Sequence, residues 1–211
     1  MTRIGAVYSG TKWQLDLFKS DKYGRFIDDI IHACQLPEMD ISALDVIVVP
    51  RESNQEKLLE AKEKLIEFLN DGKTLIAFGE VTRPWLPCCI WKDTYPEFAY
   101  KADGTKECLW DKGQLVTRPY RILESGHPLF QNLTIEDLQW HFHGMFQAPP
   151  TAEVLLRYGE DGDIIYLDTK RFKGKILATT LDPEVHAGYG VVKKTQKFLD
   201  NVFKWAVREG A

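Results

Sequence analysis

Several groups of residues in this chain could do chemistry, and the most telling stands where a strand turns. Thr74-Leu75-Ile76-Ala77-Phe78 is an apolar run of strand length that passes directly into Gly79-Glu80. A buried strand closing in a tight glycine turn presents its next side chain outward, the position where many α/β enzymes mount a nucleophile. Here that position carries Glu80, with neither Cys nor Ser beside it. A carboxylate there can serve as general base, metal ligand or substrate anchor. It can equally rest at the N-terminus of a following helix, where exposed amides stabilise it.

The second group is Asp182-Pro183-Glu184-Val185-His186, which follows the apolar run Lys175–Thr180. Loops at the carboxyl ends of parallel strands build the sites of open α/β sheets. Asp182, Glu184 and His186 are therefore expected near the crevice that holds Glu80. Their types suit acid–base work or a divalent metal; the alternative is a capped helix start carrying a surface histidine. In Trp140-His141-Phe142-His143-Gly144, strand geometry would put His141 and His143 on one face. No third ligand follows from the spacing, so these two are read as ligand-binding residues and no metal site is assigned. Tyr8, Ser9 and Trp13 follow the first apolar run and are further candidates to line the crevice, or else packing residues. His127, before Pro128, reads as a turn residue.

The elements that must position these groups alternate between strand and helix. Ile4–Tyr8 reads as the first strand, and Asp45–Pro50 as a β-branched strand apolar on both faces, which suits a central parallel position. Leu58, Leu59, Lys62, Leu65, Ile66 and Leu69 lay out a helical face that Ser53 or Asn54 can cap and Asn70-Asp71-Gly72 can close. With Thr74–Phe78 following at once, this is a βαβ unit of right-handed crossover. Phe26, Ile27, Ile30, Ile31 and Cys34 fall at helical spacing and predict a helix over about Phe18–Cys34. Glu153–Tyr158, Asp163–Asp168 and Lys175–Thr180 read as strands, the first two joined as a hairpin through Gly159-Glu160-Asp161-Gly162. A last amphipathic helix carries Phe198, Leu199, Val202, Phe203 and Ala206. Residues about 84–150, with Trp85, Trp91, Trp110 and Trp140, form an aromatic-rich insertion within one 1–211 domain. The expected fold class is α/β, a flavodoxin-like three-layer sandwich with a mostly parallel central sheet.

Composition narrows the function classes. With 211 residues, 44% hydrophobic and 27% charged, the chain can bury a core. A net charge of −4 with basic residues dispersed among acidic ones gives no footprint for nucleic acid or an anionic membrane. No apolar stretch approaches the roughly 18 residues of a membrane span, and no basic segment leads into an N-terminal apolar run. Cys34, Cys88, Cys89 and Cys108 show no Cys-x-x-Cys spacing and read as free thiols of a cytoplasmic protein. No cofactor is assigned.

The strand with its Gly79-Glu80 turn, Gly126-His127-Pro128-Leu129 leading to Trp140, and Gly174-Lys175-Ile176-Leu177-Ala178-Thr179-Thr180-Leu181 before a helix ending in Trp205-Ala206 resemble the class I glutamine amidotransferase-like superfamily. The branch most similar is the ThuA-like proteins, linked to trehalose utilisation. Active glutamine amidotransferases place a Cys at the elbow and a His-Pro-Glu segment after a late strand. Glu80 stands at the elbow position here, and Asp182-Pro183-Glu184 stands for His-Pro-Glu. Where the ThuA-like branch often has Gly-His, this chain has Leu181-Asp182. The resemblance thus implies the fold without a thiolate and its base, and so without glutaminase chemistry. The resemblance transfers no catalytic residue; the location of Glu80, Asp182 and His186 at the expected crevice makes them the candidate catalytic groups of a protein that binds a small polar ligand, such as a sugar or related metabolite. Tyr8, Ser9, Trp13, Glu184, His141 and His143 would be its binding groups. The alternatives are a non-enzymatic structural or protein-interaction component, as homo-oligomer or with a protein partner, and a metal-assisted hydrolase.

Overall fold

Aliphatic and β-branched runs become the strands of one mixed sheet. The computed structural model describes residues 1–92, 98–100, 106–108, 120–140 and 142–209. Trp110 of the aromatic-rich stretch and His141 lie outside the described residues. The strands are β1 (Ile4–Tyr8), β2 (Asp29–His32), β3 (Val46–Val49), β4 (Thr74–Phe78), β5 (Ile90–Lys92), β6 (Phe98–Tyr100), β7 (Lys106–Cys108), β8 (Tyr120–Ile122), β9 (Met145–Gln147), β10 (Glu153–Tyr158), β11 (Gly162–Asp168) and β12 (Lys175–Thr179). The helices are α1 (Lys12–Phe18), α2 (Gln55–Glu60), α3 (Lys62–Asn70), α4 (Ile135–Leu138), α5 (Pro183–Gly188) and α6 (Gln196–Glu209).

Among the described residues the main sheet runs β2-β1-β3-β4-β12-β11-β10-β8, with β9 on β11 and β5 on β9. The block from β2 to β12 is parallel, and the remaining pairs are antiparallel. The 84–150 stretch supplies β5, β8 and β9 to this sheet and the separate antiparallel pair β6–β7. The β10–β11 hairpin forms as expected, with register shifts around Leu156. No helix among the described residues is long and apolar enough to cross a membrane.

Two cores explain why β3 and β4 are apolar on both faces. Val46, Val48, Ile76 and Phe78 join Trp13, Leu17 and Phe18 of α1 and Phe198, Leu199, Val202 and Phe203 of α6. Ile47, Val49, Leu75 and Ala77 face the other way, onto Leu58 of α2 and Leu65, Phe68 and Leu69 of α3. Helices therefore cover both sides of the parallel block, giving three layers. Each of these Val, Ile, Leu and Phe side chains, once buried, contributes roughly 1.5–3 kcal/mol of transfer free energy.

The helix expected over Phe18–Cys34 does not form. Helix α1 ends at Phe18, and Gly24 lies so close to the Phe18 carbonyl that a Cβ there would stand 2.8 Å from that oxygen. The chain then enters β2, which pairs in parallel with β1 from Gly5↔Asp29 to Tyr8↔His32. The isoleucines satisfy helical spacing, but a β-branched pair beside an open sheet edge gains a full ladder of hydrogen bonds as a strand. The helix after Asn54 is interrupted at Ala61, and the Asn54 side chain accepts from the Lys57 N–H at 3.1 Å as its cap.

Register sets the site. Val49 pairs with Ala77, and Ala77 with Ala178, so β3, β4 and β12 end side by side. The residues that follow, Arg51, Glu80 and Asp182, leave the sheet at one edge, at the carboxyl ends of adjacent parallel strands.

Candidate functional site

Glu80 does not rest on a helix N-terminus; its partner is Arg51, which leaves the neighbouring strand. Arg51 Nε–H is shared by both Glu80 oxygens, at 2.9 and 3.0 Å. Arg51 Nη1 donates to Asp182 Oδ2 at 2.9 Å. One guanidinium thus ties together the ends of β3, β4 and β12. Gly79 makes this geometry: its φ is +74°, and a Cβ there would stand 2.6 Å from Arg51 Cγ. The elbow glycine both turns the chain and leaves room for the arginine stem.

Asp182 is fully buried and occupies the N-cap position of α5, yet its side chain makes no cap hydrogen bond. Its carboxylate is drawn inward instead. Trp140 Nε1–H donates to Oδ1 at 3.1 Å, and His186 Nε2 lies 3.5 Å from the same oxygen. A buried carboxylate demands this many partners, because leaving one uncompensated costs several kcal/mol. His143, in the bend before β9 and not on a strand, spans the two acids. Its Nδ1 lies 3.9 Å from Glu80 Oε1, and its Nε2 lies 3.8 Å from Asp182 Oδ2. These are coulombic distances, beyond hydrogen-bond reach.

Glu184, on the first turn of α5, is 1% exposed. Its Oε1 accepts from the main-chain N–H of Arg51 at 3.0 Å, while Oε2 is buried without a hydrogen-bond partner. Burial first, and then the charge of Asp182, push its carboxyl well above the usual carboxylate range. Both causes favour the protonated, neutral form of this acid.

The first loop braces this arrangement. Ser9 N–H donates to Gln14 Oε1 at 2.8 Å, Gln14 Nε2 donates to the Arg51 carbonyl at 3.0 Å, and Ser9 Oγ accepts from Asn54 N–H at 2.9 Å. Trp13 Nε1–H donates to Glu52 Oε2 at 2.8 Å, holding a residue whose φ is +62°. A non-glycine residue in that region is strained and is kept there by its surroundings. Tyr8 turns its ring edge-on to His32, its partner on β2.

Of the residues expected at the site, Glu80, Asp182, Glu184, His186 and His143 are brought together around Arg51. Ser9 and Trp13 stand one layer back, supporting the Arg51 loop, and the ring contact of Tyr8 is with the edge strand. Arg51, Gln14 and Glu52 are not among the residues expected at the site, whereas Trp140 is one of the insertion's aromatics. Arg51 carried a usable signal, since it follows Pro50 at the end of a central parallel strand just as Glu80 follows Gly79.

Cys88 is exposed, and burial pushes the Cys89 thiol up to about 12, which leaves it a thiol and not a thiolate at neutral pH. Among the described residues no group of three or more His, Cys, Asp or Glu is arranged to hold a metal ion. A hollow of about 350 Å³ between Met39, Ile41, Phe68, Lys64 and Lys73 is separate from this cluster. Its two lysines are already bonded, to the Met39 carbonyl and to Asp45.

No protein-family model matches the chain, and no curated protein does. Solved structures do. A protein from Thermoplasma acidophilum described as a putative GMP synthase subunit superposes with a TM-score of 0.58 at 14% identity, over 99% of this chain and 95% of that one. SMU.1228c superposes at 0.52 and 9% identity, over the whole of both chains. The exo-β-1,4-mannosidase Op5Man5 from Opitutaceae bacterium strain TAV5 superposes at 0.51 and 11% identity, over 97% of this chain. The chain spans 36% of the mannosidase's length. The likeness is one of fold. An α/β sheet flanked by helices is shared with these proteins, and at such identities no residue role passes from them to Glu80, Asp182 or Arg51.

Proposed function

We propose that this chain is a non-canonical member of the amidotransferase-like proteins that binds a small polar ligand, a sugar or related metabolite, at the ends of β3, β4 and β12, without glutaminase activity. The observation that carries this reading is the Arg51 guanidinium shared between Glu80 and Asp182. A nucleophile elbow needs a thiolate or alkoxide beside a base. At this elbow the carboxylate is already engaged by a cation. The side chains of Arg51, Glu80 and His143 are 17%, 24% and 26% exposed, so donor and acceptor groups reach solvent together. Sugar hydroxyls pair with such a set, each giving and accepting one hydrogen bond. Asp182, Trp140 and Glu184, sealed beneath, hold the exposed groups in place. The fold shared with the putative GMP synthase protein supports the superfamily assignment, and the ThuA-like resemblance supports the sugar class.

The test is a thermal-shift screen of neutral, acidic and amino sugars and polar metabolites on the wild type and Glu80→Ala, with a glutaminase assay alongside. A ligand that stabilises the wild type and not the variant is the expected outcome. Glutamine hydrolysis, or ligand shifts indifferent to Glu80, would sink the reading.

One observation favours the second reading, a protein-interaction component. Tyr189, Val191 and Val192, just after α5, are 61%, 47% and 39% exposed and consecutive but for Gly190. Light scattering of the wild type and a Tyr189→Ser, Val191→Ser variant decides it: an assembly that the variant dissolves supports an interface there, and a monomer in both removes the self-association form.

A further inference from the structure

The hollow of about 350 Å³ lies at the amino ends of β3 and β4, where Asp45 and Lys73 enter the sheet, the edge opposite Arg51. Its size falls in the roughly 300–1,000 Å³ range of small-molecule sites. The lining joins apolar and acidic side chains. Ile41 and Phe68 are buried and Met39 is half-buried, while Glu38, Asp40, Glu67 and Asp71 are exposed. Lys64 Nζ donates to the Met39 carbonyl at 2.6 Å, which ties the 38–42 loop to α3 and fixes the two walls of the hollow.

The cations of the lining do not offset its carboxylates. Lys73 Nζ donates to Asp45 Oδ1 at 3.1 Å, and the N-terminal amine acts on the same acid. Arg3 gives Asp45 only its main-chain N–H and turns its guanidinium to Asp29. Asp40 Oδ1 accepts from Ser42 N–H at 2.9 Å. Glu38, Glu67 and Asp71 have no side-chain hydrogen bond or ion pair among the described residues. Five carboxylates, Asp45 included, thus face Lys64, Lys73 and the N-terminal amine, which leaves two negative charges in excess.

Helix α3 adds an independent argument. Lys64, Glu67, Phe68 and Asp71 share its face toward the hollow, so Glu67 and Asp71 are like charges at i and i+4. Both stand at the carboxyl end of the helix, whose dipole is negative there, and no basic residue occupies its last turn. Two local rules are broken at once, which is expected where a site and not the helix sets the residue types. The dipole and the carboxylates call for the same thing, a cation beside an apolar surface.

We propose that this hollow binds an aliphatic polyamine, its ammonium groups on Glu67 and Asp71 of α3 and on Glu38 and Asp40 of the facing loop, its methylenes along Met39, Ile41 and Phe68. The proposal is independent of the reading of the Arg51 edge. A bare metal ion would leave the apolar part of the lining unused, and a neutral diol would leave the carboxylates unpaired.

The test titrates spermidine, putrescine, 1,4-butanediol and Mg²⁺ calorimetrically into the full chain at about pH 7 and low ionic strength. Spermidine is expected to bind with a Kd below about 1 mM, at least tenfold tighter than Mg²⁺, and the diol to give no binding heat. The double variant Glu67→Gln, Asp71→Asn should weaken spermidine by about tenfold, equivalent to ~1.4 kcal/mol. Glu63→Gln, in the first turn of the same helix and outside the hollow, should change it by less than about twofold. Without ligand the double variant should keep or raise the thermal midpoint, because α3 loses like charges at its carboxyl end. Absence of spermidine binding at about 10 mM, Mg²⁺ binding as tightly as spermidine, or an equal loss in Glu63→Gln overturns the proposal. A lowered midpoint of the unliganded double variant overturns it too, since Glu67 and Asp71 would then serve the fold.

Discussion

Glu184 gives the most direct test of how this site is built. In the folded protein its carboxyl lies well above the usual carboxylate range, through burial and then the charge of Asp182. Unfolded, it returns to an ordinary Glu. Folding therefore takes up one proton at this residue in the window between the unfolded and the folded value. The sign follows from linkage: the contribution of this group is fully present below the ordinary carboxylate range and is lost as pH rises toward the folded value. One proton corresponds to a slope of ~1.4 kcal/mol per pH unit. Glu184→Gln removes the titration while keeping the acceptor for Arg51 N–H. At about pH 4 the variant should match the wild type or fall below it by about 1 kcal/mol, since the new amide NH₂ replaces an unpartnered oxygen. Above that it should overtake, the difference growing by up to about 1.4 kcal/mol per pH unit. Urea unfolding followed by tryptophan fluorescence between about pH 4 and pH 9 reads this. Every other residue is common to both proteins, so the difference curve reports residue 184 together with its coupling to Asp182. Parallel stability curves across that range would refute the picture of a neutral, proton-holding Glu184.

Other perturbations test neighbouring steps. Arg51→Met should cost about 3–5 kcal/mol, because it leaves Asp182 buried without its cation; a loss under about 1 kcal/mol in chemical denaturation would mean that the histidines suffice. Trp140→Phe keeps the ring in the core and removes the N–H given to Asp182, for an expected loss of about 1–3 kcal/mol. Gly79→Ala should cost at least 1–2 kcal/mol, roughly the penalty of a left-handed backbone for a residue with a Cβ, and more through contact with Arg51; its thermal midpoint reports this. Val192 is a β-branched residue at φ +45°, so Val192→Asn, which tolerates that region, should stabilise by about 1 kcal/mol, measured the same way.

What the sequence made legible here was whatever depends on neighbours along the chain. β1, β4 and β10 fall where their apolar runs lie, because a run buried on one or both faces has one register that hides it. Phe18–Cys34 misled for the converse reason. Its isoleucines satisfy two periods at once, and the choice was made by an open edge on β1, a partner invisible from within the segment. The site obeys the same division. Glu80, Asp182, Glu184 and His186 were visible as polar residues just past strand ends, and Arg51 met that criterion too. What the criterion lacks is the order of the strands. Only when β3, β4 and β12 prove adjacent does Arg51 fall between Glu80 and Asp182.

That adjacency changes the meaning of the elbow carboxylate. Read along the chain, Glu80 is a lone acid free to act as base or ligand. Read across the sheet, it is one pole of a network that spans three strand ends, tied through Arg51 to Asp182. Chemistry at the carboxyl edge of a parallel sheet is thus decided by which strands are neighbours, and for this chain the deciding residue is one the motif does not contain. Under the proposed reading, a ligand whose thermal shift Glu80→Ala abolishes should therefore be lost as fully in Arg51→Lys, which keeps the charge but not the fork that joins Glu80 to Asp182; an unchanged shift in that variant would refute the argument.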